Sequence, residues 1–362
     1  MKSRVLSLVL TLFLAVNAMF FLTSPFQYEN EIFEQYELTY ELPINGASGF
    51  LLARQYLKES PQENSVNLLP IEPGSPFTII FSENGYLKVE YRAQVGWVSS
   101  ALAMVNLPDI VPSIIYFNTN STSSLFQSSG YGLPDIYSQA LYDARDFNER
   151  FSKEQYIMPV LYRTAIMFHD AQQAALKDGN SLKIYETFRP LDVQTTISRG
   201  LRGMMQENQT VREGINSNGW GIGWFISGGV STHQLGAGAD LALVRIRQYE
   251  TRTTSGFEYK AITAFSEYMM PSKMHELSTQ AIVLERPSAW HSQNGFNADF
   301  APTMSVGARR LHAYMVDVGF TPLASEWWHF DYKSAWNQIR REHPSVNGDF
   351  RLQGLASRQP TP

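Results

Sequence analysis

The sequence predicts an α+β protein, in which a small all-β unit precedes a larger domain of helices and an antiparallel sheet. Residues 44–108 contain short runs rich in β-branched and aromatic residues, and turn-forming residues separate these runs. Beyond residue 108 the pattern changes to longer segments, some typical of helices and some of strands. Helices segregated from a modest antiparallel sheet make an α+β domain.

Length and composition narrow the class of protein. A chain of 362 residues suggests two folded units. The net charge of -5 provides no basic field for a polyanion, which argues against a nucleic-acid partner. The chain has no cysteine, so disulfides, thiolate zinc sites and a cysteine nucleophile are excluded. Any metal ion must therefore be bound through nitrogen and oxygen atoms.

Residues 1–24 differ from the rest of the chain. Lys2 and Arg4 precede an uncharged run from Val5 to Leu22, which is the order typical of an export signal. The run also approaches the minimum of roughly 17 residues for a membrane span. A cleaved signal peptide and a retained membrane anchor both stay open, and a buried core helix is the weaker alternative. Either export outcome predicts an extracytoplasmic protein, secreted or anchored facing the bacterial cell wall, with this segment as its sole membrane contact.

The all-β unit at residues 44–108 contains four strand-like runs, with turns at Pro73-Gly74 and Glu83-Asn84-Gly85. The runs are Phe50–Arg54, Phe77–Ile80, Tyr86–Tyr91 and Val95–Val98. The Gly-Tyr and Gly-Trp-Val strands resemble those of a bacterial SH3-type barrel, a module often attached to cell-wall hydrolases. The resemblance implies contact with peptidoglycan, and a structural spacer that binds nothing is the open alternative.

The larger domain is predicted to span residues 109–350. Ser152 and Gln155 form a capping-box pattern, which predicts a long amphipathic helix that ends at Gly179. The other predicted elements are strands at Leu182–Tyr185, Ala239–Ile246 and Glu326–Tyr332, and a helix at Met304–Val318.

The segment Ser231–Asp240 combines a histidine and an aspartate with glycines. His233 and Asp240 are seven positions apart and would face opposite sides of a regular strand. Both can reach one ion only if the chain bends between them, and Gly236 and Gly238 permit that bend.

The segment Ser325–Phe330 supplies a second histidine and a glutamate. Catalytic zinc commonly takes three protein ligands from His, Asp and Glu and keeps one position for water. His233, Asp240 and His329 would complete such a set for one Zn2+ per chain. Glu326 would then take a proton from the bound water and return it to the leaving amine.

A third segment, Tyr185–Pro190, contains Arg189. A guanidinium fixed beside the metal would stabilise the oxyanion of a tetrahedral intermediate, because arginine keeps its charge. Trp327 and Trp328 would wall the site and keep its dielectric constant low.

The three segments, in this order and at these separations, resemble the vancomycin-resistance type D-alanyl-D-alanine dipeptidases. These zinc peptidases share a fold with D-alanyl-D-alanine carboxypeptidases and the amino-terminal domain of hedgehog. Their pattern is S-x-H-x-x-G-x-A-x-D, later E-W-W-H, preceded by Y/F-R-P, and the similarity runs from about Leu107 to Tyr332. It implies a hedgehog/D-Ala-D-Ala metallopeptidase-like fold, a zinc cofactor, and hydrolysis of D-Ala-D-Ala or related D-alanine-containing cell-wall peptides.

The resemblance also implies a role for each matching residue. These are zinc ligation by His233, Asp240 and His329, general acid/base catalysis by Glu326, stabilisation of the intermediate by Arg189, and substrate contact by Ser231.

The sequence departs from the family pattern at two points. Gly238 replaces the alanine, which we expect only to loosen the turn. Dipeptidases also carry an acidic residue that holds the substrate's free amino group, and the candidates here are Glu267 and Glu276. Without that anchor, a D,D-carboxypeptidase or an endopeptidase acting on peptidoglycan stem peptides is the alternative. A non-catalytic cell-wall-binding protein is a further alternative, against which Glu326 argues.

Three other histidines, His275, His291 and His312, are not assigned to the metal. His312 lies on a predicted helix and His275 in a predicted loop or strand edge, so we expect structural or surface roles for both.

Overall fold

The computed structural model describes residues 40–288 and 299–361 of the chain. The predicted export segment, residues 1–24, and His291 lie outside the described residues. No helix within those two ranges has both the length and the apolar character needed to cross a membrane.

The described residues form eighteen strands. The first nine are β1 Ser48–Leu51, β2 Gln55–Lys58, β3 Asn67–Ile71, β4 Phe77–Glu83, β5 Tyr86–Tyr91, β6 Gln94–Ser99, β7 Ala103–Asn106, β8 Ile115–Tyr116 and β9 Gln127–Ser128. The others are β10 Tyr131–Gly132, β11 Arg145–Asn148, β12 Lys153–Tyr156, β13 Pro159–Leu161, β14 Asn180–Glu186, β15 Gly238–Thr254, β16 Phe257–Glu267, β17 Thr321–Leu323 and β18 Glu326–Asp331.

Six α-helices accompany these strands in the described ranges. They are α1 Tyr162–Lys177, α2 Leu191–Glu207, α3 Gln209–Ile215, α4 Ile222–Phe225, α5 Val306–Asp317 and α6 Lys333–Glu342. With largely antiparallel sheets, they confirm a mixed α and β architecture.

The first sheet contains eight antiparallel strands in the order β13-β7-β1-β4-β5-β6-β2-β3. The turn predicted between β4 and β5 is confirmed, because Asn84 and Gly85 have φ values of 49° and 79°. Positive φ at both central residues is the geometry of a two-residue hairpin turn that matches the twist of the strands.

The all-β character predicted for residues 44–108 is confirmed, but the predicted barrel is not seen. The two strands at the ends of this sheet, β3 and β13, do not pair with each other, so the described strands form an open sheet. One end strand, β13, comes from beyond residue 108 and pairs with β7.

The predicted capping box at Ser152 and Gln155 is wrong. Residues Lys153–Tyr156 form β12 and pair with β11, while Ser152 has a φ of 52° in the turn between them. Helix α1 begins only at Tyr162. The polar spacing of a capping box also fits a short hairpin, and pairing with β11 decides between the two. The predicted end of the helix is confirmed, since Gly179 follows with a φ of 70°.

The second sheet positions the candidate site. Its strands follow the order β17-β18-β15-β14-β8, and β16 pairs with β15. Strand β14 and the first part of β15 are buried, and helices α1 and α5 pack beside them. The burial fixes the register of these central strands, because a slip of one residue would turn every side chain to the other face.

Arg150 links the carboxyl-terminal segment to residues that flank the first sheet. This fully buried guanidinium donates to the backbone carbonyls of Pro43, Asn45, Asp109 and Arg358. One side chain therefore links segments that are more than two hundred residues apart in the chain.

Candidate metal centre

Three adjacent strands place acidic and imidazole side chains in one cross-strand row. Glu186 of β14 lies opposite Asp240 of β15, and Asp240 lies opposite His329 of β18. Directly opposed residues in antiparallel strands have Cβ atoms about 4.5–5.5 Å apart. The side chains meet accordingly, and Asp240 Oδ1 is 2.9 Å from His329 Nδ1.

His233 reaches the same point from a short 3-10 helix, Thr232–Leu235, that precedes β15. Gly236 ends this helix in the left-handed region, with a φ of 63°, and so supplies the predicted bend. His233 Nε2 lies 3.4 Å from Asp240 Oδ1 and 3.2 Å from His329 Nδ1. His233, Asp240 and His329, here called the metal centre, are all buried.

The dimensions of the metal centre fit a small tetrahedral ion. Its three facing atoms are separated by 2.9, 3.2 and 3.4 Å. Ligands at the 2.0–2.1 Å typical of zinc–nitrogen bonds would be about 3.3 Å apart in a tetrahedron. Another cluster among the described residues, Glu186, Asp240 and His275, also has ligand atoms within 4.8 Å of one another.

Hydrogen bonds on the far side of each imidazole set its tautomer. His233 Nδ1 lies 2.6 Å from the Thr187 carbonyl, which can only accept, so Nδ1 carries the proton. His329 Nε2 lies 2.7 Å from Asp331 Oδ1 and donates to that carboxylate. The other nitrogens, His233 Nε2 and His329 Nδ1, face each other and Asp240 Oδ1, so a proton or a metal ion is needed between them.

The electrostatics of the metal centre favour a bound positive charge. Burial works to lower the pKa of His329, but Asp331 and Asp240 outweigh it and raise that pKa well above its usual value. Burial likewise works to raise the pKa of Asp240, and His233, His275 and His329 reverse this and hold it well below its usual value. A proton or a metal ion can meet this demand, and two histidines with a carboxylate suit a metal.

The second carboxylate oxygen of Asp240 accepts two hydrogen bonds. Its Oδ2 atom accepts from Arg189 Nη2 at 3.0 Å and from His275 Nε2 at 3.1 Å. His275 is completely buried and stacks on Phe126, with ring centroids 4.3 Å apart. Of the two roles expected for His275, the surface role is wrong and the structural role is confirmed, and His275 also fixes the orientation of a predicted metal ligand.

Arg189 lies beside the metal centre, but most of its donors are already used. Nε and Nη2 donate to Glu186, Nη2 also donates to Asp240, and Nη1 donates to Gln194 at 2.7 Å. One N–H of Nη1 is left without a partner among the described residues. The guanidinium already bonds to the carboxylates of Glu186 and Asp240, which makes the cluster of Glu186, Asp240 and His275 a poor metal site.

Glu326 and Trp328 line the same cleft as the metal centre, a cavity of about 240 Å³. Glu326 is three residues before His329, and a register shift between β17 and β18 lets residues at this odd spacing face one side. Burial raises the pKa of Glu326 to about 8, with attraction to His329 opposing it only in part. The expectation that Trp327 also walls the site is wrong, because Trp327 does not line the cleft and its Nε1 atom donates to Ser272.

Ser231 also lines the cleft, where its hydroxyl donates to Gln234 Oε1 at 2.8 Å. The oxygen of this hydroxyl can still accept a hydrogen bond. Gln234 in turn donates to the backbone carbonyl of Arg189 at 2.8 Å. The same side chain therefore positions both Ser231 and Arg189.

The two candidate anchors for a substrate amino group are placed elsewhere. Glu267 lies on β16, is half-exposed, and forms an ion pair of 2.7 Å with Lys183. Glu276 is buried and accepts from the backbone of Ser129 and Gly130 and from the hydroxyl of Ser278. Neither residue lines the cleft.

The expectation that glycine at position 238 only loosens the turn is also wrong. A Cβ atom at this position would lie 2.5 Å from Thr232 Oγ1 and 3.3 Å from Asp331 Oδ1. The absence of a side chain therefore allows β15 to approach the 3-10 helix that carries His233. His312 lies on α5 as predicted, with its ring 5.1 Å from Phe300 and away from the metal centre.

No protein-family model matches the chain, and a comparison with curated proteins also finds no match.

Proposed function

We propose that this protein is a zinc-dependent peptidase that hydrolyses D-Ala-D-Ala or related D-alanine-containing peptides of the bacterial cell wall. The observation that carries the proposal is the convergence of two imidazole nitrogens and one carboxylate oxygen, with Glu326 in the same cleft. A zinc ion held there would acidify a water molecule and polarise the peptide carbonyl.

Glu326 performs the proton transfers in this proposal. Its carboxylate accepts a proton from the attacking water and delivers it to the amine as the C–N bond breaks, so that one carboxylate and one amine result. A group that both takes and gives a proton works best when its pKa is near the ambient pH. Burial raises the pKa of Glu326 to about 8, and a divalent cation close by would lower it towards neutrality.

Three other residues orient the substrate or stabilise the reaction intermediate. Arg189 offers one N–H and a fixed positive charge to the oxyanion of the intermediate. Ser231 can accept a hydrogen bond from a substrate amide, and Trp328 excludes water from one wall of the cleft.

A D,D-carboxypeptidase or endopeptidase acting on peptidoglycan stem peptides is the second candidate function. It is favoured by the placement of Glu267 and Glu276, which leaves a free substrate amino group without the expected anchor. A non-catalytic cell-wall-binding protein is a weaker candidate, because binding needs no acid/base group beside a metal.

We also propose a fold for each domain and a location for the protein. We assign the larger domain to the hedgehog/D-Ala-D-Ala metallopeptidase fold and residues 44–108 to an SH3-like module that contacts peptidoglycan. The export segment at residues 1–24 would bring both to the outer face of the bacterial membrane.

The test is product analysis. Purified, zinc-loaded protein is incubated with D-Ala-D-Ala and with a stem pentapeptide that ends in D-Ala-D-Ala, and the products are identified by mass spectrometry. Release of D-alanine from either peptide, lost in Glu326→Gln, is the expected result. If protein with full zinc occupancy hydrolyses neither peptide, the peptidase proposal is refuted.

A further inference from the structure

The cleft contains a cation that the proposed reaction does not use. Lys333 is the first residue of α6 and lines the cleft together with the metal centre. Its side chain is 32% exposed and forms part of the cleft lining. Arg189, the other cation in the lining, is 4% exposed and already forms ion pairs with Glu186 and Asp240.

Lys333 is held in place but only weakly neutralised. Its Nζ atom lies 4.7 Å from the centroid of the Trp336 ring, a distance at which a cation is attracted to the aromatic face. Asp331 Oδ2 is 3.6 Å from Nζ, which is longer than a hydrogen bond. The other oxygen of Asp331 accepts from His329. Lys333 therefore keeps donors for a further acceptor.

The position of Lys333 in the helix does not stabilise α6. The amino-terminal end of a helix carries partial positive charge, so an acidic side chain is favoured there and a lysine is not. The first turn of α6 contains no acidic residue. A lysine at this position is better explained by an anion that enters the cleft than by stability of the helix.

In contrast to Lys333, each acidic residue of the cleft already has a partner or a proposed catalytic role. Asp240, Glu326 and Asp331 are the acidic residues among the described lining. Asp240 belongs to the metal centre, Asp331 pairs with His329, and Glu326 is the proposed acid/base group. The charges thus suit a substrate with an anionic end in the cleft and no ammonium group close to the scissile bond.

We propose that Lys333 binds the terminal carboxylate of the substrate, and that the preferred substrates are N-acylated peptides cleaved next to a free carboxyl terminus. This inference rests on the proposed peptidase function and specifies its substrate class. One residue spans at most about 3.6 Å of extended chain. A carboxylate one residue beyond the scissile bond must therefore be bound close to the metal centre, and Lys333 is linked to His329 through Asp331 alone.

The test compares two substrates that differ only at the carboxyl terminus. N-acetylated peptides ending in D-Ala-D-Ala are offered as the free acid and as the carboxamide. In the parent protein we expect a higher kcat/KM for the acid. Lys333→Met should lower kcat/KM for the acid by about 10- to 100-fold, mainly through KM, because a hydrogen bond between two charged groups is lost. The carboxamide should change little, and Lys333→Arg should keep most of the preference.

Controls separate this inference from the peptidase proposal. Lys177→Met removes an exposed lysine outside the cleft and should leave both substrates unaffected. The same acid and amide are also titrated against zinc-loaded Glu326→Gln, so that binding is measured without hydrolysis. Equal affinity for the two peptides, equal losses in Lys333→Met, or no binding of either would overturn the role of Lys333. Hydrolysis of neither peptide by the parent, with selective binding of the acid, would refute the peptidase proposal alone.

Discussion

Asp240 and His329 lie directly opposite each other on adjacent antiparallel strands, with Asp240 Oδ1 2.9 Å from His329 Nδ1. Backbone hydrogen bonds thus fix two of the three proposed metal ligands relative to each other. Only His233 depends on a turn, which Gly236 forms with a positive φ. A metal centre built on strands is expected to be rigid before the ion binds.

His275 should tune the affinity for the metal ion without touching it. His275→Phe removes the donor to Asp240 Oδ2 but keeps a ring that can stack on Phe126. Loss of such a supporting hydrogen bond typically weakens metal binding by about 10- to 100-fold. A competition titration with a chromophoric chelator measures this. His275→Gln, which retains an N–H donor, should recover part of the affinity, and unchanged affinity in His275→Phe would contradict the assignment.

Glu326 should matter for turnover and not for metal retention. Glu326→Gln keeps the size of the side chain but cannot accept a proton from water, so kcat should fall by at least about 100-fold. Zinc content, measured by elemental analysis of the same sample, should stay at the parent level. Near-normal hydrolysis by this variant would remove Glu326 from the mechanism.

The sequence was sufficient to predict that His233, Asp240 and His329 come together, but not which residues support them. His233, Asp240 and His329 occur in short segments whose residue types and spacing are distinctive. His275 occurs in no such motif, and it reaches Asp240 because the loop after β16 brings it back across the sheet. Contacts of this kind depend on tertiary packing, which local patterns do not encode.

The same limit explains the errors in secondary structure. The turn at Asn84-Gly85 was predictable because its geometry depends on those two residues. The polar pattern from Ser152 to Gln155 fits a helix start equally well as a hairpin, and only pairing with β11 distinguishes them. The clash of a Cβ atom at Gly238 with Thr232 was likewise not predictable from the sequence, because the turn brings Thr232 close to this position only in the folded chain.

Acidification should destabilise the protein through His312. Burial lowers the pKa of His312 to about 4, against about 6.5 in an unfolded chain. Between these values the unfolded state binds more protons, so the free energy of unfolding should fall as the pH drops from about 6.5 to 4. The contribution is about 3 kcal/mol at most.

Urea unfolding at several pH values checks the role of His312. His312→Gln should flatten the pH dependence within that window relative to the parent protein. An identical slope in both proteins would show that other groups cause the acid sensitivity.

Arg150 should be important for stability. Arg150→Met would remove four hydrogen bonds from a buried guanidinium to backbone carbonyls, and a hydrogen bond to a charged group contributes about 1.5–3 kcal/mol. We expect the free energy of unfolding to fall by at least about 3 kcal/mol, measured by urea unfolding. Arg199→Met, at an exposed position of α2, is the matched control and should change stability by less than about 0.5 kcal/mol. Similar losses in the two variants would contradict the account of Arg150.

The most direct measurement is the zinc content of protein dialysed to remove loosely bound ions. We predict about one zinc ion per chain in the parent protein, and nearly none in His233→Ala, Asp240→Ala and His329→Ala variants that keep the parent's circular dichroism spectrum. A folded parent protein that binds no zinc, or variants that retain it fully, would contradict the claim that these three side chains hold a metal ion.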